Sequence, residues 1–118
     1  MKIYSADTWT IEELQALVGD AGRRALLVPA ADTRQTVLEA FAETIDFQAD
    51  DGLDLDALND SLHDFADSVS DDGLTPTTFI WQVPSGFRAD RSFGIICEVL
   101  QDAERYAGKH LDIIAVCL

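Results

Sequence analysis

Residues 55 to 69 commit this chain to one helix and fix both of its faces. Counting about 100° per residue from Asp56, the side chains of Asp60, Asp64 and Asp67 fall within roughly 80° of it. Leu55, Leu58, Leu62, Phe65 and Val69 fall at about 180–260°. The spacing predicts an apolar seam on one side and a row of carboxylates on the other. Ten aspartates lie between residues 46 and 72, and no lysine or arginine occurs between Arg34 and Arg88. Like charges on one helical face repel, which destabilises the helix and the fold. Ordinary solvated faces mix Glu and Lys four residues apart, because such pairs are mildly stabilising. This face has a single sign and uses Asp, a poor helix former. Its short stem holds charge close to the backbone at little entropic cost, which suits docking into a cationic pocket.

Composition narrows what that face can meet. The chain has 118 residues, enough for one domain with a modest core. Hydrophobic residues make up 47%, too many for a disordered acidic tail. A net charge of −14 argues against nucleic acid and against an anionic membrane. A basic protein, a cation or plain solubility remain. The first residues, MKIYSADTW, lack the apolar run of a signal peptide, and no apolar stretch nears 18 residues. The expectation is a cytoplasmic monomer. Cys97 falls in a predicted helix and Cys117 in a terminal strand, with no CxxC or metal spacing. Both are expected to be buried free thiols.

Along the chain, residues 2–5 read as a short strand. Thr10-Ile11-Glu12-Glu13 is a capping-box pattern. It opens a helix with Ile11, Leu14, Leu17 and Val18 on its apolar face, ended by Gly19 and Gly22. Residues 25–29 read as a buried strand. Asp32 or Thr33 caps a helix carrying Val37, Phe41 and Ile45. Asp50-Asp51-Gly52 breaks the chain in a loop, and Asp54 caps the acidic helix. Residues 77–83 form a strand rich in β-branched and aromatic residues, and Pro84-Ser85-Gly86 a turn. A helix from 92 to about 107 carries Phe93, Ile96, Leu100 and Ala103, and residues 111–117 form the last strand. Strands separated by helices imply a parallel α/β sheet.

Catalysis fits these residues poorly. His63 and His110 are the only histidines, and neither lies in a catalytic motif. There is no GxSxG and no Gly-rich phosphate loop. Solvated aspartates on an open face lack the burial that tunes a carboxyl for acid–base work. A calcium loop read from Asp46 also fails. Gln48 and Asp50 stand at ligand positions, yet the glycine comes one residue late at Gly52 and Ala57 occupies the glutamate position. The expectation is a binding protein with no enzymatic activity, no cofactor and no metal.

The segment Gly52-Leu53-Asp54-Leu55-Asp56-Ala57-Leu58-Asn59-Asp60-Ser61-Leu62 resembles the G-x-N-L-D-A-L-x-D-x-L signature of barstar-like ribonuclease inhibitors. Gly52, Leu55, Asp56, Ala57, Leu58, Asp60 and Leu62 all agree. The resemblance covers about residues 25–118. It implies a small three-stranded parallel sheet with helices packed around it, with residues 1–24 as an added strand and helix. It also implies an intracellular immunity protein that plugs the active site of a basic, secreted, guanyl-type ribonuclease, one to one. Asp60 matches the aspartate that takes the place of a substrate phosphate, and Asp56 a second acidic contact. Gly52 and Leu55 match loop and helix contacts, and Asp102 an acidic residue on the long helix. Asp54, His63 and Asp64 belong to the same candidate face. Three positions depart from the signature. Asp50 and Asn59 stand where the family carries aromatics, and Asp54 where it carries asparagine. Aromatic anchors are common hot spots, so the loss of two implies a different target, a more electrostatic interface or lost inhibition. The alternative expectation is an acidic module for another basic protein or a non-ribonuclease toxin.

Overall fold

The computed structural model describes residues 1–46 and 53–118. Four strands, β1 (Lys2–Ser5), β2 (Arg24–Val28), β3 (Thr77–Val83) and β4 (Leu111–Cys117), form one sheet in the order β1-β4-β3-β2. Every pairing is parallel. The three-stranded expectation is therefore corrected to four. β1 pairs with β4 in the register Lys2 to Ile114 through Ser5 to Cys117.

Burial explains why the fourth strand is there. β3 and β4 are buried on both faces, so their side chains alternate between two cores. Phe79, Trp81, Val83, Leu111, Ile113 and Ala115 join the larger core, beneath α2 (Arg34–Thr44), α3 (Leu55–Asp71) and α5 (Arg91–Ala107). Ile80, Ile114 and Val116 face the other way and meet Leu14 and Val18 of α1 (Ile11–Asp20). Tyr4, Trp9 and Ile11 pack against this smaller core. Residues 1–24 thus supply an edge strand and the helix that covers one face of the sheet.

Local chemistry sets the helix ends. Thr10 and Glu13 form the expected capping box. Thr33 and Thr36 form a second one at the start of α2. Gly19 lies inside α1, which ends at Asp20; Gly22 then takes φ 76°, and Arg23 N–H reaches the Val18 carbonyl. Gly73, at φ 64°, does the same after α3, where Leu74 N–H meets the Val69 carbonyl. The turn expected at Pro84-Ser85-Gly86 is instead the start of a one-turn helix, α4 (Ser85–Arg88), with Pro84 at its N-cap. Phe87 is buried and fastens that turn to the core, edge-on to Trp81. Asp90 caps α5, and the Ser92 backbone N–H it accepts holds its carboxyl below the usual range. Cys97 and Cys117 are buried free thiols.

Candidate protein-binding face

Asp54 starts the acidic helix by accepting the Ala57 N–H at 2.7 Å. The seam then docks α3 inward. Leu58, Leu62, Ala66 and Val69 are buried, while Leu55 and Phe65 are half-buried at the margin of the larger core. Expected burial of those last two is therefore only partial. Ser61, also on the inner side, returns its hydroxyl to the Ala57 carbonyl. With the seam held, Asp56, Asp60, Asp64 and Asp67 are all exposed. Among the described residues, the ion pairs are Met1 amine with Glu104, Arg23 with Asp112, and Arg105 with Asp102. None neutralises a carboxylate of α3.

Other expected contacts divide differently. Asp54 lies at the rim, its carboxylate already engaged in capping. Asn59 and His63 are half-buried beside the row, and the His63 Nδ1–H donates to the Asn59 carbonyl at 2.7 Å. Asp102 is exposed on α5, where Arg105 of the same helix pairs with it. Asp50 and Gly52 lie outside the described residues. The structure therefore brings Asp56, Asp60 and Asp64 onto one open face with His63 alongside. It leaves Asp102 on the neighbouring helix with its charge already matched.

Tyr106 was not anticipated. It reaches from α5 across to α3, and its hydroxyl donates to Asp67 Oδ1 at 2.6 Å. Its ring lies against His63, tilted, with centroids 4.1 Å apart. The hydrogen bond to Asp67, with lesser contributions from desolvation and from Asp67, Asp71 and Asp64, raises its pKa. An aromatic residue on the solvent-facing flank of α5 was the only sequence signal for it.

A cleft of about 210 Å³ lies elsewhere, lined by residues including Tyr4, Val18, Arg23, Thr78, Glu104 and Asp112. Several of its polar groups are already engaged. Arg23 donates to Thr78, to the Thr77 carbonyl and to the Lys109 carbonyl, and Glu104 accepts the Ile113 N–H. No α3 residue lines it. Among the described residues, no group of three His, Cys, Asp or Glu side chains is placed to hold a metal ion. The exposed face of α3 is anionic, with Asp56, Asp60, Asp64 and Asp67 all open to solvent.

The family model described as Barstar (barnase inhibitor) matches residues 24–117. The chain belongs to this family. No curated protein and no solved structure matches it. The barstar-family match includes α3 and strands β2, β3 and β4; it begins where β2 begins, so β1 and α1 precede it. No helix among the described residues is long and apolar enough to cross a membrane.

Proposed function

We propose that this barstar-family chain is an intracellular inhibitor of a basic, guanyl-type ribonuclease, which it blocks one to one by laying α3 into the active site. The observation that carries this reading is the row Asp56, Asp60, Asp64 on α3, open to solvent and without a cation of its own. A ribonuclease must bind phosphate, so its active site is cationic. Carboxylates set about one helical turn apart on a rigid helix can stand where phosphates would lie. Desolvated there, they form charge-assisted hydrogen bonds. Asp60 is the central contact, with Asp56 and Asp64 one turn to either side. Asp54 and Leu55 form the rim at the helix start, and Asp50 and Gly52, which lie outside the described residues, add further contacts. Asn59 and His63 border the row, and Asp102 contributes at the edge.

The test is inhibition of barnase-catalysed RNA cleavage, with complex mass measured alongside. One-to-one inhibition that Asp60→Ala abolishes supports the reading. Full ribonuclease activity in the presence of excess protein sinks it for that enzyme. A second reading, an immunity module for another basic protein or a non-ribonuclease toxin, is favoured by Asn59. It stands half-buried where the signature carries an aromatic, so the anchor expected for a ribonuclease is missing at that position.

A further inference from the structure

A binding face without aromatic anchors is unusual, because a few rigid aromatic or arginine contacts carry most of the energy in typical interfaces. At the α3–α5 junction the structure offers a replacement. Tyr106 is 54% exposed, yet it is fixed at two points. Its hydroxyl is tied to Asp67 at 2.6 Å and its ring rests on His63, tilted by 38°. His63 is pinned in turn through Nδ1 to the Asn59 carbonyl. A carbonyl can only accept, so Nδ1 carries the proton and the imidazole plane is set. A large exposed ring already immobilised has little rotamer freedom to lose on binding. Beside it opens a shallow cleft of about 250 Å³ lined by Ala66, Asp67, Ser70, Tyr106, Ala107 and His110. Asp67 gives one oxygen to the tyrosine and keeps the other.

A π face next to an unneutralised carboxylate matches one side chain above others. Arginine is planar, stacks on aromatic rings, and presents a fork of donors to a carboxylate at the same time. Lysine offers a point charge without the plane. We propose that Tyr106, backed by His63, is an arginine-stacking platform that extends the α3 face onto α5. An arginine of the basic partner lies over the Tyr106 ring and donates to Asp67. The platform rests on the reading that the partner of α3 is basic, though not on that partner being a ribonuclease.

Hexa-arginine and hexa-lysine peptides separate the two ideas. By titration calorimetry at low salt, the protein should bind hexa-arginine more tightly than hexa-lysine. Tyr106→Ala should weaken hexa-arginine by about 2- to 5-fold, the size of an exposed cation–π contact, and hexa-lysine less. Tyr106→Phe keeps the ring and should keep the preference. Tyr106→Leu keeps bulk without the π face and should behave like the alanine variant. Asp60→Ala should weaken both peptides alike. An arginine preference that survives Tyr106→Ala overturns the platform, as does failure of hexa-arginine to bind the parent. The barnase assay is read separately. A platform confirmed by peptides with barnase uninhibited defeats only the ribonuclease reading. Barnase inhibition and peptide preference both untouched by Tyr106→Ala defeat only the platform.

Discussion

The helices α3 and α5 are each 17 residues long, both bury an apolar seam in the same core, and they pack against each other. Their outer faces follow opposite rules. α5 mixes signs, pairs Asp102 with Arg105 three residues on, and places Arg105 in its last turn. That is how a solvated helix balances its charges and its dipole. α3 carries no basic residue in its last turn, ends on Asp71 and Asp72, and leaves its carboxylates unpaired with cations. Asp71 and Asp72 sit at the end where the helix dipole is already negative. At their C-terminal ends, then, α5 matches its dipole and α3 does not.

Mutating the two helices in parallel tests that contrast, and the largest effect is expected in binding. Asp60→Ala should weaken association with an inhibited ribonuclease by about 3 kcal/mol or more, the range for truncating one member of a buried charge pair. The family's own enzyme–inhibitor pair helped to define that range. The variant should melt at the same temperature as the parent or slightly higher, because repulsion along α3 falls. A loss of stability with unchanged inhibition would reverse the assignment of roles. Asp67→Ala, further along the helix, should cost much less binding.

Titration of the inner faces should come next in size. The α3 seam holds no ionisable side chain, whereas α5 buries Cys97, whose thiol is pushed from 9.0 up to about 11, chiefly by desolvation and then by Cys117. A raised pKa favours the protonated folded form. Its contribution is fully present below pH 9 and is lost as pH rises through about 11. The loss is on the order of 2 kcal/mol. Urea midpoints between pH 8 and 11 should fall more steeply for the parent than for Cys97→Ala. Tyr106, also raised, acts in the same direction. Parallel slopes for the two proteins would remove Cys97 from the account.

Smaller effects concern the helix ends. Asp71→Lys should raise stability by about 0.3–1 kcal/mol by matching the dipole of α3. Arg105→Asp should lower it by a similar amount on α5. Equal responses of the same sign would erase the contrast. Asp102→Ala should change stability by at most about 0.5 kcal/mol, as expected for an exposed pair. Association of the α3 face should slow several-fold between low and moderate salt while dissociation changes less, because the Debye length shortens to about 10 Å at 0.1 M. Stopped-flow rates independent of ionic strength would rule out steering.

Much of this was readable from local pattern, where local physics decides. The α3 seam, the Asp54 cap and the Thr10 capping box all follow from residues within a turn of each other. So do β3 and β4, whose apolar runs leave no polar face. The rest depended on partners distant in sequence. KIYS is four residues, too short for its periodicity to reveal that it joins the sheet at β4. Pro-Ser-Gly is a turn signal, and only the burial of Phe87 makes it a helical turn. At the site, the α3 row was legible because one helix generates it alone. Tyr106 was not, because its contact with His63 exists only once α5 lies against α3.

The strand order has a consequence for how the molecule is made. β1 leaves the ribosome first, yet its partner β4 is the last strand to emerge and must insert between β1 and β3. Until residues 111–117 are synthesised, β1 has no neighbour and β3 pairs on one side only. α3 and its charges are complete long before that. Pairings so distant in sequence make folding slow relative to helical proteins of this size. They also leave strand edges open to other chains meanwhile. Chains truncated before residue 111 should accordingly resist proteolysis poorly, and chains extended through residue 117 should gain protection in one step.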